Sequence, residues 1–411
     1  MKKWIGLVVV LVSTTTGFSQ SGDQKTGIKM ITKDVKTLSD DKMEGRETGS
    51  AGEAMAADYI AGRMEKIGLK PYGIGGYFQP FTFTPKANPH AADSAAEMKP
   101  ITGKNVIGYL DHGAEYTVVI GAHYDHLGFG GGGSLHAGEK AIHNGADDNA
   151  SGVSAMLELA RMIKANENLN QNNYLFIAFS GEEKGLWGSK SFVANPTIPL
   201  ANINYMLNMD MVGRLDSNKL AINAVGTSTK WATALDEANT EKMELVEGES
   251  GIGPSDHTSF YLEGIPCLHF FTGQHGDYHK PSDDFDKVNV EGVKVVADFM
   301  IRVIAAVQPD GKLDYQKTKG NEQDTPRFKV TLGVMPDYMF QGEGMKIDGI
   351  IPDRPAEKAG LQRGDIVVKM GEVDIKNMQS YMQGLSQFET GDKAKVVVKR
   401  GSEVVNVEVE F

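Results

Sequence analysis

One cysteine stands in 411 residues. A chain with a single thiol forms no internal disulfide, so its core must hold it together without covalent staples. That thiol, Cys267, sits in the apolar run GIPCLHFF, where it reads as a small core residue rather than a reactive group. Long hydrophobic runs are missing as well. The apolar stretch Trp4–Val12 falls far short of the roughly 20 residues that cross a bilayer, so no membrane span is expected in the mature chain. Positive charge is in deficit: 42 Lys and Arg against 54 Asp and Glu give a formal net charge of −12. That balance excludes nucleic acid and anionic membranes as default partners. No internal repeat or extended low-complexity tract occurs. The glycine run GFGGGGS at 128–134 lacks the following Gly-Lys-Ser/Thr of a phosphate loop and reads as a flexible loop. Ser255, Asp256 and His257 are consecutive, and consecutive residues do not converge as a catalytic triad. Asp256 is expected to line a pocket instead.

What is present begins with MKKWIGLVVVLVSTTTGFSQ. Two lysines, an apolar run and a small, polar tail make the plan of a secretory signal peptide over residues 1–20. The expected location is the periplasm or the extracellular space. The length predicts two or three domains, and 40% hydrophobic content suffices for their cores. Residues 28–70 read as helical. NPHAADSAAEMKP reads as a surface loop. Beyond it, apolar runs (NVIGYL, YTVVIGAH, YLFIAFS, INYMLNMD, IPCLHFFTG) alternate with amphipathic stretches such as SGVSAMLELARMIKAN and VEGVKVVADFMIRVIAAV. The alternation predicts an α/β domain at 25–308, a mostly parallel mixed sheet with helices on both faces. Residues 309–326 are polar, lie between Pro309 and Pro326, and read as a linker. Residues 327–411 read as a small β-rich domain.

The segment after each predicted strand carries chemistry. His123 and Asp125 follow one, Glu182 and Glu183 another, Asp210 a third, and Tyr278, His279 and Asp283 a fourth. Asp147 and Asp148 occupy a turn before a helix. Parallel sheets collect ligands at the carboxyl ends of their strands. Two imidazoles among several carboxylates suit zinc, with manganese or cobalt as possible substitutes. A carboxylate between two cations offsets their repulsion. The adjacent pair Glu182–Glu183 suits divided labour, one residue binding metal and the other moving protons.

HYDHLG, GADDNASG, SGEEKGLWGS, NMDMVG and YHKPSDD together resemble the signature set of the co-catalytic zinc aminopeptidases, relatives of glutamate carboxypeptidase, over about residues 30–305. SDDKMEGRETGSAG, GKNVIGYL and SDHTSFYLEGIP support it. The resemblance implies two zinc ions. His123 and Asp210 would hold one, Glu183 and His279 the other, and Asp147 would bridge them, with a cis bond inside the Asp147–Asp148 pair. Glu182 would be the general base and Tyr278 a donor to the oxyanion. Asp125 would orient His123, and Asp283 would orient His279. His126, His136, His143, His257, His269 and His275 fall outside the family positions and read as structural or pocket-lining. PAEKAGL, GDIVVKMGEVDI and MQSYMQGLSQF resemble bacterial PDZ domains. Thr331, Leu332, Gly333 and Val334 match the loop that takes a peptide carboxylate in such domains, which bind a protein or peptide C-terminus as an added strand. The implied function is an exported metallo-aminopeptidase acting on peptides. Its competitors are a carboxypeptidase or single-zinc glutaminyl cyclase on the same fold, or a catalytically dead peptide-binding protein.

Overall fold

Strands buried along their whole length have no solvent face, and four of the apolar runs behave so. A computed structural model of the chain describes residues 16–84, 99–318 and 330–411, except 132, 137, 217, 338, 339, 341, 352 and 353. Residues 1–15 of the expected signal peptide and most of the expected surface loop (85–98) lie outside the described residues. The strands of the first sheet are β1 (Lys70–Pro71), β2 (Phe78–Phe83), β3 (Ile101–Leu110), β4 (Thr117–His123), β5 (Asn173–Phe179), β6 (Ile203–Met209), β7 (Lys219–Asn223), β8 (Glu244–Gly248) and β9 (Cys267–Phe271). Every residue of β4, β5 and β6 is buried.

The sheet runs β1-β3-β5-β4-β6-β9-β7-β8, with β2 also on β3. β4 is parallel to β5 and to β6, and β6 is parallel to β9. These four therefore deliver their C-terminal ends to one edge. The β3–β5 and β7–β9 pairs are antiparallel, so the sheet is mixed.

The helices of this domain are α1 (Thr16–Leu38), α2 (Ala51–Ile67), α3 (Gly152–Ala165), α4 (Trp187–Ala194), α5 (Trp231–Ala238), α6 (His257–Tyr261) and α7 (Val290–Val307). Side chains on a strand alternate between faces, and the two packing layers divide accordingly. Tyr174, Phe176 and Ala178 of β5 join the core under α1, α2, α3, α5 and α7. Leu175, Ile177 and Phe179 join a second core with Phe192 of α4 and Phe260 of α6. Among the described residues, no helix is long and apolar enough to cross a membrane.

The helical region expected at 28–70 breaks between α1 and α2. Ser50 accepts a hydrogen bond from the Glu53 amide and starts α2, and Gly68 at φ +86° ends it. In the break, Glu44, Gly45 and Arg46 all take positive φ. This turns the Arg46 side chain inward. The expected linker also needs correcting. Leu313 is buried, Asp314 accepts from Ser228 Oγ at 2.8 Å, and the Thr318 amide donates to Tyr261 Oη at 3.0 Å. Residues 309–318 thus belong to the first domain, and the polar composition reflects its surface.

The second domain holds β10 (Val334–Pro336), β11 (Met345–Ile350), β12 (Ile366–Met370), β13 (Val373–Asp374), β14 (Lys393–Arg400) and β15 (Glu403–Glu410), with α8 (Pro355–Lys358) and α9 (Met378–Ser386). Its sheet is antiparallel, ordered β10-β11-β12-β14-β15. Its own core includes Leu332, Ile347, Val367, Val396 and Val398. In the expected carboxylate loop, Leu332 is fully buried and Gly333 takes φ +71°, with no room for a Cβ beside Arg354. The Leu332 and Gly333 carbonyls accept from the Ala356 and Ile351 amides.

Candidate metal centre

His123 ends β4, Asp210 directly follows β6, Glu182 and Glu183 lie just past β5, and His279 lies in the loop after β9. Asp148 enters from the turn before α3. Its Oδ1 is 3.3 Å from His123 Nε2, and its Oδ2 is 3.3 Å from His279 Nε2. Asp210 Oδ1 is 3.2 Å from His123 Nε2, and Glu183 Oε2 is 3.3 Å from His279 Nε2. Tetrahedral zinc with ligands at about 2.0–2.1 Å separates those ligands by about 3.3–3.4 Å. Both groups match that edge, and Asp148 belongs to both.

The position between the two histidines is therefore filled by Asp148 and not by Asp147, which corrects the expected ligand set. Asp147 turns away from that position. Its Oδ1 accepts from the Gly213 amide at 2.6 Å and from Ser151 Oγ at 2.9 Å. Its Oδ2 lies 3.1 Å from His275 Nε2. The cis peptide bond is also one step later, at Asp148–Asn149. Asp283 is corrected in turn. It does not touch His279; its Oδ2 accepts from the amides of Asp147 and Asp148 at 3.0 Å, and its Oδ1 faces Arg214 at 3.2 Å. It holds the turn that presents Asp148. His279 Nδ1 instead bonds the Gly133 carbonyl at 2.8 Å, so the glycine-rich loop orients this ring.

Asp125 lies behind His123, with its backbone oxygen 3.1 Å and its Oδ1 3.7 Å from His123 Nδ1. Its carboxylate accepts from Thr48 Oγ1 at 2.9 Å and from the Glu182 amide at 3.2 Å. It thereby ties the histidine strand to the glutamate pair. The Tyr278 ring stacks on His279 at 3.9 Å.

Three further residues were not legible as site residues. His126 Nδ1 is 2.7 Å from Glu183 Oε1 and 3.7 Å from Asp148 Oδ2. It groups with Glu183 and Asp148 as a possible ligand set, as His123 groups with Asp148 and Asp210. His275 supports Asp147. Arg46 is fully buried and donates to the carbonyls of Leu38, Tyr124, Asn144 and Gly145 at 2.5–3.0 Å. It pins the segments on either side of the centre. The HYDH spacing was the signal for His126, and SDDKMEGRETGSAG was the signal for Arg46.

The charge balance calls for a cation. Burial resists charge on Asp148, yet the imidazoles of His126, His123 and His279 outweigh it and hold the carboxyl well below the usual range. Burial also resists charge on His123, and Asp210 and Glu182 reverse that, raising its pKa. His279 is raised likewise, chiefly by Glu183 and Asp148. Glu182 goes the other way. Burial pushes its carboxyl well up, His123 opposes, and the charges of Asp210, Glu183 and Asp256 add to the rise. The rise makes Glu182 a stronger proton acceptor than a solvated glutamate.

His123, Asp148, Glu182, Asp210 and His279 line one pocket with Met211, Pro254, His269, Phe271, Gln274 and Tyr278. Residues 105–304 match the model of Peptidase family M28, and residues 320–411 match that of the PDZ domain. By that match residues 105–304 resemble an M28 peptidase domain. The chain is 28% identical to Aminopeptidase YwaD of Bacillus subtilis over 203 residues, 46% of this chain and 40% of that protein. The first curated relatives are thus matched over 40% and 58% of their own length. Two solved structures share the fold. A zinc aminopeptidase from Bacillus subtilis is 21% identical, covering 70% of this chain and 95% of its own, with a TM-score of 0.54. A glutaminyl cyclase from Bacteroides thetaiotaomicron is 19% identical, covering 68% and 97%, also at 0.54. The PDZ match accounts for the separate core around Leu332 and Val396.

Proposed function

We propose that the chain is an exported aminopeptidase that removes N-terminal residues from peptides with two zinc ions, which manganese or cobalt could replace. One observation carries the reading: two nitrogen–oxygen ligand sets of zinc dimensions share the Asp148 carboxylate, with Glu182, made more basic by burial, beside them. His123 and Asp210 would hold one ion, Glu183 and His279 the other, and Asp148 both. When bound, the ions would supply an acidified water and polarise the scissile carbonyl. Glu182 takes a proton from the attacking water and returns it to the leaving amine. Tyr278, fixed on the His279 ring, donates to the developing oxyanion. No covalent enzyme intermediate is required, and every ligand and base position is filled, with Asp148 in the place expected for Asp147, which weighs against a dead binding protein. The basic, apolar start of the sequence supports export. For the PDZ domain we propose a peptide C-terminus as ligand, at Thr331–Val334.

The test is release of nitroaniline from leucyl-p-nitroanilide. Activity should vanish with a chelator and return with zinc. Glu182→Gln should keep both ions and lose about 10²–10⁴-fold in kcat. Full activity in Glu182→Gln would refute the base assignment. Cleavage confined to C-terminally acidic peptides would indicate a carboxypeptidase.

A further inference from the structure

Twelve buried side-chain nitrogen and oxygen atoms among the described residues lack a hydrogen-bond partner, and six of them belong to Asn208, Asp256, His257 and His269. Such groups are rare in folded proteins and call for a ligand or an ordered water. Half of the total therefore marks one place. Asn208 and His269 are paired neighbours on β6 and β9. The rings of His257 and His269 stack at 4.6 Å. Asn208 Nδ2 donates to Ser255 Oγ at 2.8 Å, next to Asp256 in the chain.

His269 is the member of this cluster that lines the site pocket, between the apolar walls Met211, Pro254 and Phe271. Asn223 Nδ2 lies 3.3 Å from His269 Nδ1. A donor there leaves the ring proton on Nε2, the nitrogen without a partner. Burial lowers the basicity of His269 to about 4, so the ring is neutral near pH 7. Beside those apolar walls the pocket thus carries a neutral donor without a partner.

We propose, resting on the aminopeptidase reading, that this pocket receives the side chain of the substrate's N-terminal residue. It selects an uncharged amide, asparagine or glutamine, over an apolar side chain of the same size. An amide oxygen brings His269 an acceptor and adds no charge. A carboxylate brings an acceptor together with a negative charge, into a pocket that Asp148 and Asp210 already line. A leucine or methionine leaves the His269 donor unpaired.

The experiment compares kcat/KM of the zinc-loaded wild-type enzyme on aminoacyl-p-nitroanilides in size-matched pairs, asparagine with leucine and glutamine with methionine, and adds aspartate. The amide should win each pair by about tenfold, roughly what one hydrogen bond is worth. Aspartate should fall below asparagine. His269→Phe should abolish the preference. Should that variant fail to fold, inhibition of the wild type by free asparagine against free leucine reads the same ratio. Equal or better use of leucine and methionine, or of aspartate over asparagine, overturns the proposal. No turnover of any member would instead overturn the aminopeptidase reading. Calorimetric binding of asparagine against leucine would then still read the pocket.

Discussion

Exchanging Asp147 and Asp148 for asparagine, one at a time, separates the two adjacent carboxylates. Asp148 presents one oxygen to each histidine at 3.3 Å. An asparagine there keeps an oxygen on one side only and removes a full negative charge shared by both ligand sets. Loss of a residue that merely supports a ligand already costs about 10–100-fold in metal affinity. Losing the shared ligand should therefore weaken each ion by at least about 100-fold. Asp147→Asn is a different experiment. Its Oδ1 position can still accept from the Gly213 amide and Ser151 Oγ, and only the charge facing His275 disappears. That variant should lose about 1–3 kcal/mol of stability and stay within about tenfold of wild-type zinc affinity. Zinc per chain after dialysis against a graded chelator reads the first effect, and a denaturant titration reads the second. If Asp147→Asn sheds both ions while Asp148→Asn keeps two, the assignment of the shared ligand is wrong.

Two other substitutions probe the surroundings of the centre. His126→Phe removes the imidazole 2.7 Å from Glu183 Oε1 and should weaken one of the two ions by about 10–100-fold, read as biphasic zinc loss; uniform loss of both ions would contradict its place beside Glu183. Arg46→Met strips four carbonyls of their donor and removes the buried cation near Asp148, Asp125, Asp283 and Glu183. It should cost about 3–5 kcal/mol in urea unfolding, and a loss below about 1 kcal/mol would show that Arg46 is not a keystone of the fold.

The strands that matter most were legible because burial on both faces leaves few polar positions. YTVVIGAH, YLFIAFS and INYMLNMD each became a strand buried at every residue. The C-terminal module was legible from turn chemistry and short apolar runs. Less visible were β7 and β8, short strands at the sheet edge, with β8 only partly buried. Such strands bury less and carry a weaker pattern. The break between α1 and α2 was hidden for another reason. Its three positive φ values serve Arg46, whose partners are carbonyls up to 99 positions away. No local periodicity encodes a contact of that kind.

The pair Asp147–Asp148 shows where residue-by-residue transfer stops. Both side chains are acidic, adjacent and buried, so composition and spacing treat them alike. What separates them is the path of the backbone. Asp148 sits at φ −104°, ψ 89° and Asn149 at φ −135°, ψ 44°, inside a segment otherwise helical in hydrogen bonding. Asp283 accepts both Asp147 and Asp148 amides from one side, and Asn149 Oδ1 accepts the Met211 and Gly152 amides from the other. Held between those two clamps, the turn sends one carboxylate toward Ser151 and Gly213 and the next toward the histidines. The distinction lives in hydrogen bonds to β6 and to the loop after β9, segments about 60 and 135 positions downstream. A motif of eight letters contains both carboxylates but not the clamps that tell them apart. Substitutions of Asp283 should therefore disturb zinc binding without Asp283 ever approaching an ion.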